Sequence, residues 1–244
     1  MGEYAEAIKQ HFNFRVKEAR DIVIAIFLLA LIFAFDDGAP SFSAAHWIGN
    51  YILFAILVSL ALLFRIGVQK LVAIKVGYRT EFKIWNYGLV LGVVIAFLSR
   101  GNILLLLPGG LIFFLLPAER LGHFRYGLNY DTTGTIAASG SLANMLLGMF
   151  TKALMYNFFG FESAVLDKFI FVNFLLAFFM MLPIPPLDGI RAFFGGRLTY
   201  VFIFGIILAY VALFLVNIFS LIFAVLIGIV LWLVYYFTLE KGYF

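Results

Sequence analysis

The chain has 244 residues, 64% of them hydrophobic and only 12% charged, with a mean hydropathy of +1.07. That composition excludes an ordinary soluble domain and predicts a polytopic membrane protein with no room for a large separate soluble domain. Cysteine is absent, which excludes disulfides and thiolate metal sites. The net charge of +4 includes no basic, aromatic-interleaved patch of the kind that binds nucleic acid.

Residues 1–20 mix Lys9, Arg15, Lys17 and Arg20 with Glu3, Glu6 and Glu18, which predicts an interfacial N-terminal segment rather than a cleaved signal. A single transmembrane domain is expected over 21–238, with a tail at 239–244. The first span is expected from Asp21 to Phe35. The loop after it, DDGAPSFSAAHW, has acids but no Lys or Arg, which puts it outside the cytoplasm by the positive-inside tendency. A second span starts near Trp47, and Lys70, Lys75, Arg79 and Lys83 mark its cytoplasmic end.

Two short apolar stretches follow, Tyr87 to Leu98 and Ile103 to Leu116, the second interrupted by LPGG at Leu107 to Gly110. Broken backbone at lipid depth is tolerated only under cover of other protein, so 103–116 is expected to be re-entrant or kinked. The segment from Glu119 to Thr133, with Arg120, His123 and Arg125, is expected to be a cytoplasmic loop. Spans are then expected at Thr135 to Phe159, Lys168 to Pro186, Leu198 to Leu215 and Ile218 to Phe237. The fold class is thus an all-α membrane bundle of about six to eight segments, both termini cytoplasmic.

Polar residues at lipid depth are functional candidates by default. Arg65 with Gln69, Asn144, Asn173 and Asp188 are the ones to weigh. For Asp188 the bland alternative is a helix-capping or turn acid after Pro183, Pro185 and Pro186, which cannot continue an ordinary helix. Asn144 and Asn173 are read as interhelical hydrogen-bonding residues. Arg65 has the alternative of snorkelling to the headgroups.

Taken with their surroundings, these residues resemble the site-2 protease family of intramembrane zinc metalloproteases, especially its archaeal branch. MMLPIPPLDG, Met180 to Gly189, is similar to the family's NxxPxxxLDG element, whose Asp is a zinc ligand. SGSLAN, Ser139 to Asn144, resembles its AGPxxN element, whose Asn positions substrate or an oxyanion. LPGG, with Gly109, and EFKIW, Glu81 to Trp85, are similar to the corresponding archaeal stretch, and the resemblance covers about residues 50–200.

It departs at the first motif. The family carries HExxH, two His one turn apart for zinc and a Glu base. The matching positions here are Arg65, Ile66 and Gln69; Met180 stands for the Asn of NxxPxxxLDG, and Ser141 or Leu142 for the AGP proline. Arg is cationic and Gln is a poor zinc ligand, so no metal and no cofactor are expected, although active relatives hold zinc. His11, His46 and His123 do not replace the lost ligands.

The expectation is therefore a catalytically inactive member in which Arg65 pairs with Asp188, assisted by Gln69 and Asn144. A transmembrane or partly unwound segment of another protein would bind near Gly109, Met180 and Asn144. An active metalloprotease with a rebuilt site and a structural subunit of a membrane complex stay open as alternatives. A transporter is disfavoured by the lack of paired halves with corresponding broken helices. The surroundings implied are the lipid bilayer, in an archaeal plasma membrane.

Overall fold

The computed structural model describes residues 2–36, 38, 43–116, 128–161, 163–216 and 221–240. The polar loop read at Arg120, His123 and Arg125 lies outside the described residues, as do parts of the acidic loop at 37–42 and the last four residues of the tail.

The chain is predominantly helical. In order it forms α1 (Gly2–His11), α2 (Val16–Ala34), α3 (Ala44–Lys75), β1 (Tyr78–Ile84), α4 (Asn86–Leu98), β2 (Gly109–Leu115), α5 (Tyr130–Thr151), α6 (Ala164–Met180), α7 (Asp188–Gly195), α8 (Arg197–Leu215) and α9 (Leu221–Tyr235). π-helical turns continue α5 over Lys152–Phe158 and α9 over Tyr236–Glu240.

Among the described residues three helices are long and apolar enough to cross a membrane: Ala44–Lys75, Arg197–Leu215 and α9 continued through its π turn to Glu240. The expectation of six to eight membrane segments goes beyond these three. α2 carries Lys17, Glu18, Arg20 and Asp21 in its first two turns, α6 has only 17 residues, and α4 only 13. A 13-residue helix is about 20 Å long, short of the roughly 30 Å hydrocarbon layer. α3, by contrast, has 32 residues and reaches about 48 Å, enough to carry its basic end past the hydrocarbon.

Within 103–116, the stretch expected to be re-entrant or kinked, Gly109–Leu115 is a strand that pairs antiparallel with Tyr78–Ile84, from Tyr78 opposite Leu115 to Ile84 opposite Gly109. The cause is local. Val76 ends α3, and Gly77 takes a left-handed φ of 80° that turns the chain into a strand. Tyr78, Thr80, Phe82 and Ile84 then alternate with Arg79, Glu81 and Lys83, which is the two-residue period of a strand with one buried face. Pro108 blocks helix at the far side. Gly109, at φ 136°, passes so close to the Lys83 carbonyl that a Cβ would collide with it. α4 is thus an apolar excursion between paired strands, and the chain returns to the level from which it left.

The outer edge of β1 is closed by side chains. Glu18 accepts from the Phe82 N–H at 2.9 Å and binds the Lys70 ammonium at 2.9 Å, while Lys70 also donates to the carbonyls of Thr80 and Asn13. Asp21 accepts weakly from Ile84 N–H at 3.5 Å. Lys70, read from sequence as a mark of the cytoplasmic boundary, is buried in this cluster.

Two apolar clusters hold the helices. One joins α2, α3, α4 and α6 through residues such as Leu29, Val58, Leu62, Leu89 and Leu176. The other joins α5, α6, α8 and α9 around Phe174, Ile207, Tyr210 and Ala224. The site lies between them, where α3, α5, β2 and the start of α7 meet.

Candidate functional site

Arg65 and Gln69 are four residues apart on α3, so their side chains lie one turn above the other on the same face. Opposite them stands α5, which carries Ala137, Ala138, Ser139, Gly140 and Ser141 two turns past its start. Gly140 sits against Gln69, and a Cβ there would run into the Gln69 amide. The small-residue run therefore lets two backbones approach closely enough for short polar side chains to reach across.

Asp188 arrives from the other direction. Met180 ends α6, and the proline-rich stretch that follows contains a cis Pro185–Pro186 bond before Asp188 opens α7. Prolines deny this stretch regular helix. Gly110 of β2 packs on the Pro186 carbonyl with no room for a Cβ, so strand and loop fit tightly side by side.

The carboxylate is enclosed. Arg65 Nη2 donates to Asp188 Oδ2 at 2.6 Å and Gln69 Nε2 donates to the same oxygen at 2.8 Å. Leu111 N–H donates to Oδ1 at 3.1 Å. Arg65 Nη1 reaches Ser141 Oγ at 3.2 Å, and Gln69 Nε2 also donates to the Ala137 carbonyl at 3.1 Å. Arg65 and Asp188 are each 1% exposed. The result is a neutral pair of opposite charges held by amide, hydroxyl and backbone groups, the condition under which buried charges are tolerated.

The other singled-out residues fall elsewhere. Ile66 is fully buried on the neighbouring face of α3 in the apolar cluster of α2 and α4. Asn144, on α5 one turn beyond Ser141, is completely buried, and neither its amide nitrogen nor its oxygen has a partner among the described residues. This corrects both readings of Asn144, as a member of the Arg65–Asp188 network and as an interhelical bond. Asn173 donates to the Phe169 carbonyl in its own helix rather than across to a neighbour. Met180 is buried with Leu107 and Leu187 beneath the proline-rich stretch, and Gly109 is buried at the start of β2.

Sequence reasoning missed the Leu111 amide, the Ser141 hydroxyl and the Ala137 carbonyl. Backbone groups leave no residue-type signal, but Ser141 lies in the quoted SGSLAN element, three residues before Asn144.

These residues do not fit a catalytic zinc ion. Both Asp188 oxygens are engaged by donors, and the groups beside them are a guanidinium and an amide nitrogen rather than imidazole or thiolate. Among the described residues no group of three or more His, Cys, Asp or Glu side chains is placed to hold a metal.

Fold and site together describe a helical protein with membrane-length helices and a buried polar centre assembled from α3, α5, β2 and α7. Compared with known proteins, the chain is 30% identical over 189 residues to a Methanocaldococcus jannaschii protein named "Putative zinc metalloprotease MJ0611", covering 73% of this chain and 84% of that protein. The chain therefore belongs to the family of that archaeal protein, a metalloprotease-like family. No family model matches the chain, and no solved structure matches it. The family assignment corrects the expectation of no cofactor. The relative is named a zinc enzyme, and the lack of a ligand cluster among the described residues does not establish that this chain takes none.

Proposed function

We propose that this chain is a site-2 protease-type member of its family without proteolytic chemistry, which binds a segment of another membrane protein. The observation that carries the reading is the state of Asp188. Its oxygens are occupied by Arg65, Gln69 and the Leu111 amide, and no general base or nucleophile stands beside it among the described residues. A hydrolytic step needs an activated water, and a carboxylate neutralised by a buried guanidinium is a poor base for making one.

Support for binding comes from β2. Leu111 N–H points away from β1 toward Asp188, so by the two-residue period the Phe113 N–H and carbonyl also point away from β1. Among the described residues no hydrogen bond reaches them. With β1 closed by Glu18 and Asp21 and the Leu111 N–H taken by Asp188, the free part of the β2 edge lies at Phe113, and an extended segment can add there through main-chain hydrogen bonds. The C-terminal end of the long helix is assigned to the cytoplasm, because Lys75 closes it and Arg79 and Lys83 follow, while the DDGAPSFSAAHW loop before it has no Lys or Arg.

The test uses the full chain reconstituted in bilayers with a panel of single-span proteins. A photo-crosslinking amino acid at Ile112 is expected to capture a protein segment, and the panel is expected to stay uncut. Cleavage abolished by Asp188→Ala would overturn the inactive reading. Capture of lipid alone would overturn the binding one.

A further inference from the structure

A cavity of about 550 Å³ lies beside β2, between the strand pair and the start of α7. Backbone of Gly110, Leu111 and Ile112 forms one wall, with Pro186 and Trp85 adjoining. Its charged lining is of one sign. Lys83 and Arg191 line it, and no Asp or Glu does among the described residues. Arg191 is held with its guanidinium 4.8 Å from the centre of the Phe113 ring, and neither cation meets a carboxylate among the described residues.

Asp188, which accepts from the outward Leu111 N–H, has its charge matched by Arg65. The Phe113 N–H and carbonyl, next to this wall, and two cations unmatched among the described residues offer main-chain hydrogen bonds and a countercharge to the same ligand. Aromatic stacking also reduces the freedom that Arg191 loses on binding.

We propose that this cavity selects an extended peptide segment bearing an acidic side chain, with Arg191 and Lys83 receiving the carboxylate while the peptide lies along β2. The inference rests on the reading of β2 as the partner-binding edge and adds the chemistry of the partner. Arg191 supplies a planar fork suited to a carboxylate, and Lys83, on the exposed face of β1, adds a mobile second charge.

The experiment uses the full chain in nanodiscs of pure phosphatidylcholine, so that no anionic headgroup competes. Two capped, fluorescently labelled hexapeptides are compared by anisotropy: Val-Thr-Val-Glu-Val-Thr and the same peptide with Gln in place of Glu. The Glu peptide is expected to bind about tenfold more tightly. Arg191→Gln with Lys83→Gln is expected to erase that preference, whereas Arg191→Lys retains part of it and Arg15→Gln leaves it intact.

Melting curves identify a variant that has lost its fold, and the wild-type comparison of the two peptides decides in any case. Equal binding of both peptides overturns the acidic selection while leaving the open edge standing. Failure of both to bind overturns the edge reading itself. If both bind equally and Arg191→Gln instead loses phosphatidylglycerol from mixed nanodiscs, the cavity is a lipid headgroup site and the proposal falls.

Discussion

Arg65 and Asp188, 123 residues apart in the chain, meet at 2.6 Å with both side chains 1% exposed. Two charges withdrawn from water in this way depend on each other. Removing one leaves the other buried and unmatched, at a cost of about 3–5 kcal/mol. Arg65→Met and Asp188→Leu are each expected to lower stability by that amount. The double variant is expected to lose much less than their sum, as read by denaturant unfolding in detergent micelles. Additive losses would show that the two charges are not coupled.

Gly140 and Gln69 form a second coupled pair. A Cβ at position 140 collides with the Gln69 amide that reaches Asp188. Overpacking of this kind costs about 1–3 kcal/mol. Gly140→Ala is expected to fall in that range, and Gln69→Ala in the same chain is expected to relieve part of the loss. A double-mutant cycle with no interaction energy would mean that α3 and α5 adjust without strain.

Glu18 holds the outer edge of β1 by accepting the Phe82 N–H and pairing with Lys70. Glu18→Ala removes the acceptor, so amide hydrogen exchange at Phe82 is expected to accelerate strongly while amides at the centre of α5 stay protected. Unchanged exchange at Phe82 would remove Glu18 from its role as an edge block.

Arg65→His, Ile66→Glu and Gln69→His together would place an HExxH pattern on α3 opposite Asp188. The triple variant is expected to gain zinc over the parent chain, measured by elemental analysis after dialysis, and to lose the gain on Asp188→Ala. A gain that ignores Asp188 would mean that the new histidines bind metal without the proline-rich element.

The strand pair has a clear signature in the residue pattern. Tyr78, Thr80, Phe82 and Ile84 alternate with charged residues over seven positions, and GGLIFFL follows a proline that ends any helix. Reading 103–116 as re-entrant or kinked catches the break at LPGG but not the strand that follows it, because it weighs hydrophobicity over period. Segment counting meets a related limit. Short apolar runs such as 86–98 look like partial crossings, and only packing shows that α4 is an excursion between two paired strands.

Asn144 shows the limit from the other side. Its residue type and depth invite a role in the polar centre, but its buried amide lies outside the hydrogen bonds that join α3, α5, β2 and α7. Helical phase brings Asn144 and Ser141 to similar faces of α5, and only the packing of α5 against α3 decides which of the two meets Arg65.

By itself the sequence determined the membrane-like composition, the spacing that stacks Arg65 over Gln69 and the proline-bounded position of Asp188, because these follow from residue type and local periodicity. Tertiary structure alone decided that one carboxylate collects a guanidinium, a side-chain amide and a strand N–H, and that one strand edge is closed while the other borders a cationic cavity. Those facts depend on distances between segments tens of residues apart, which packing sets and no local pattern records.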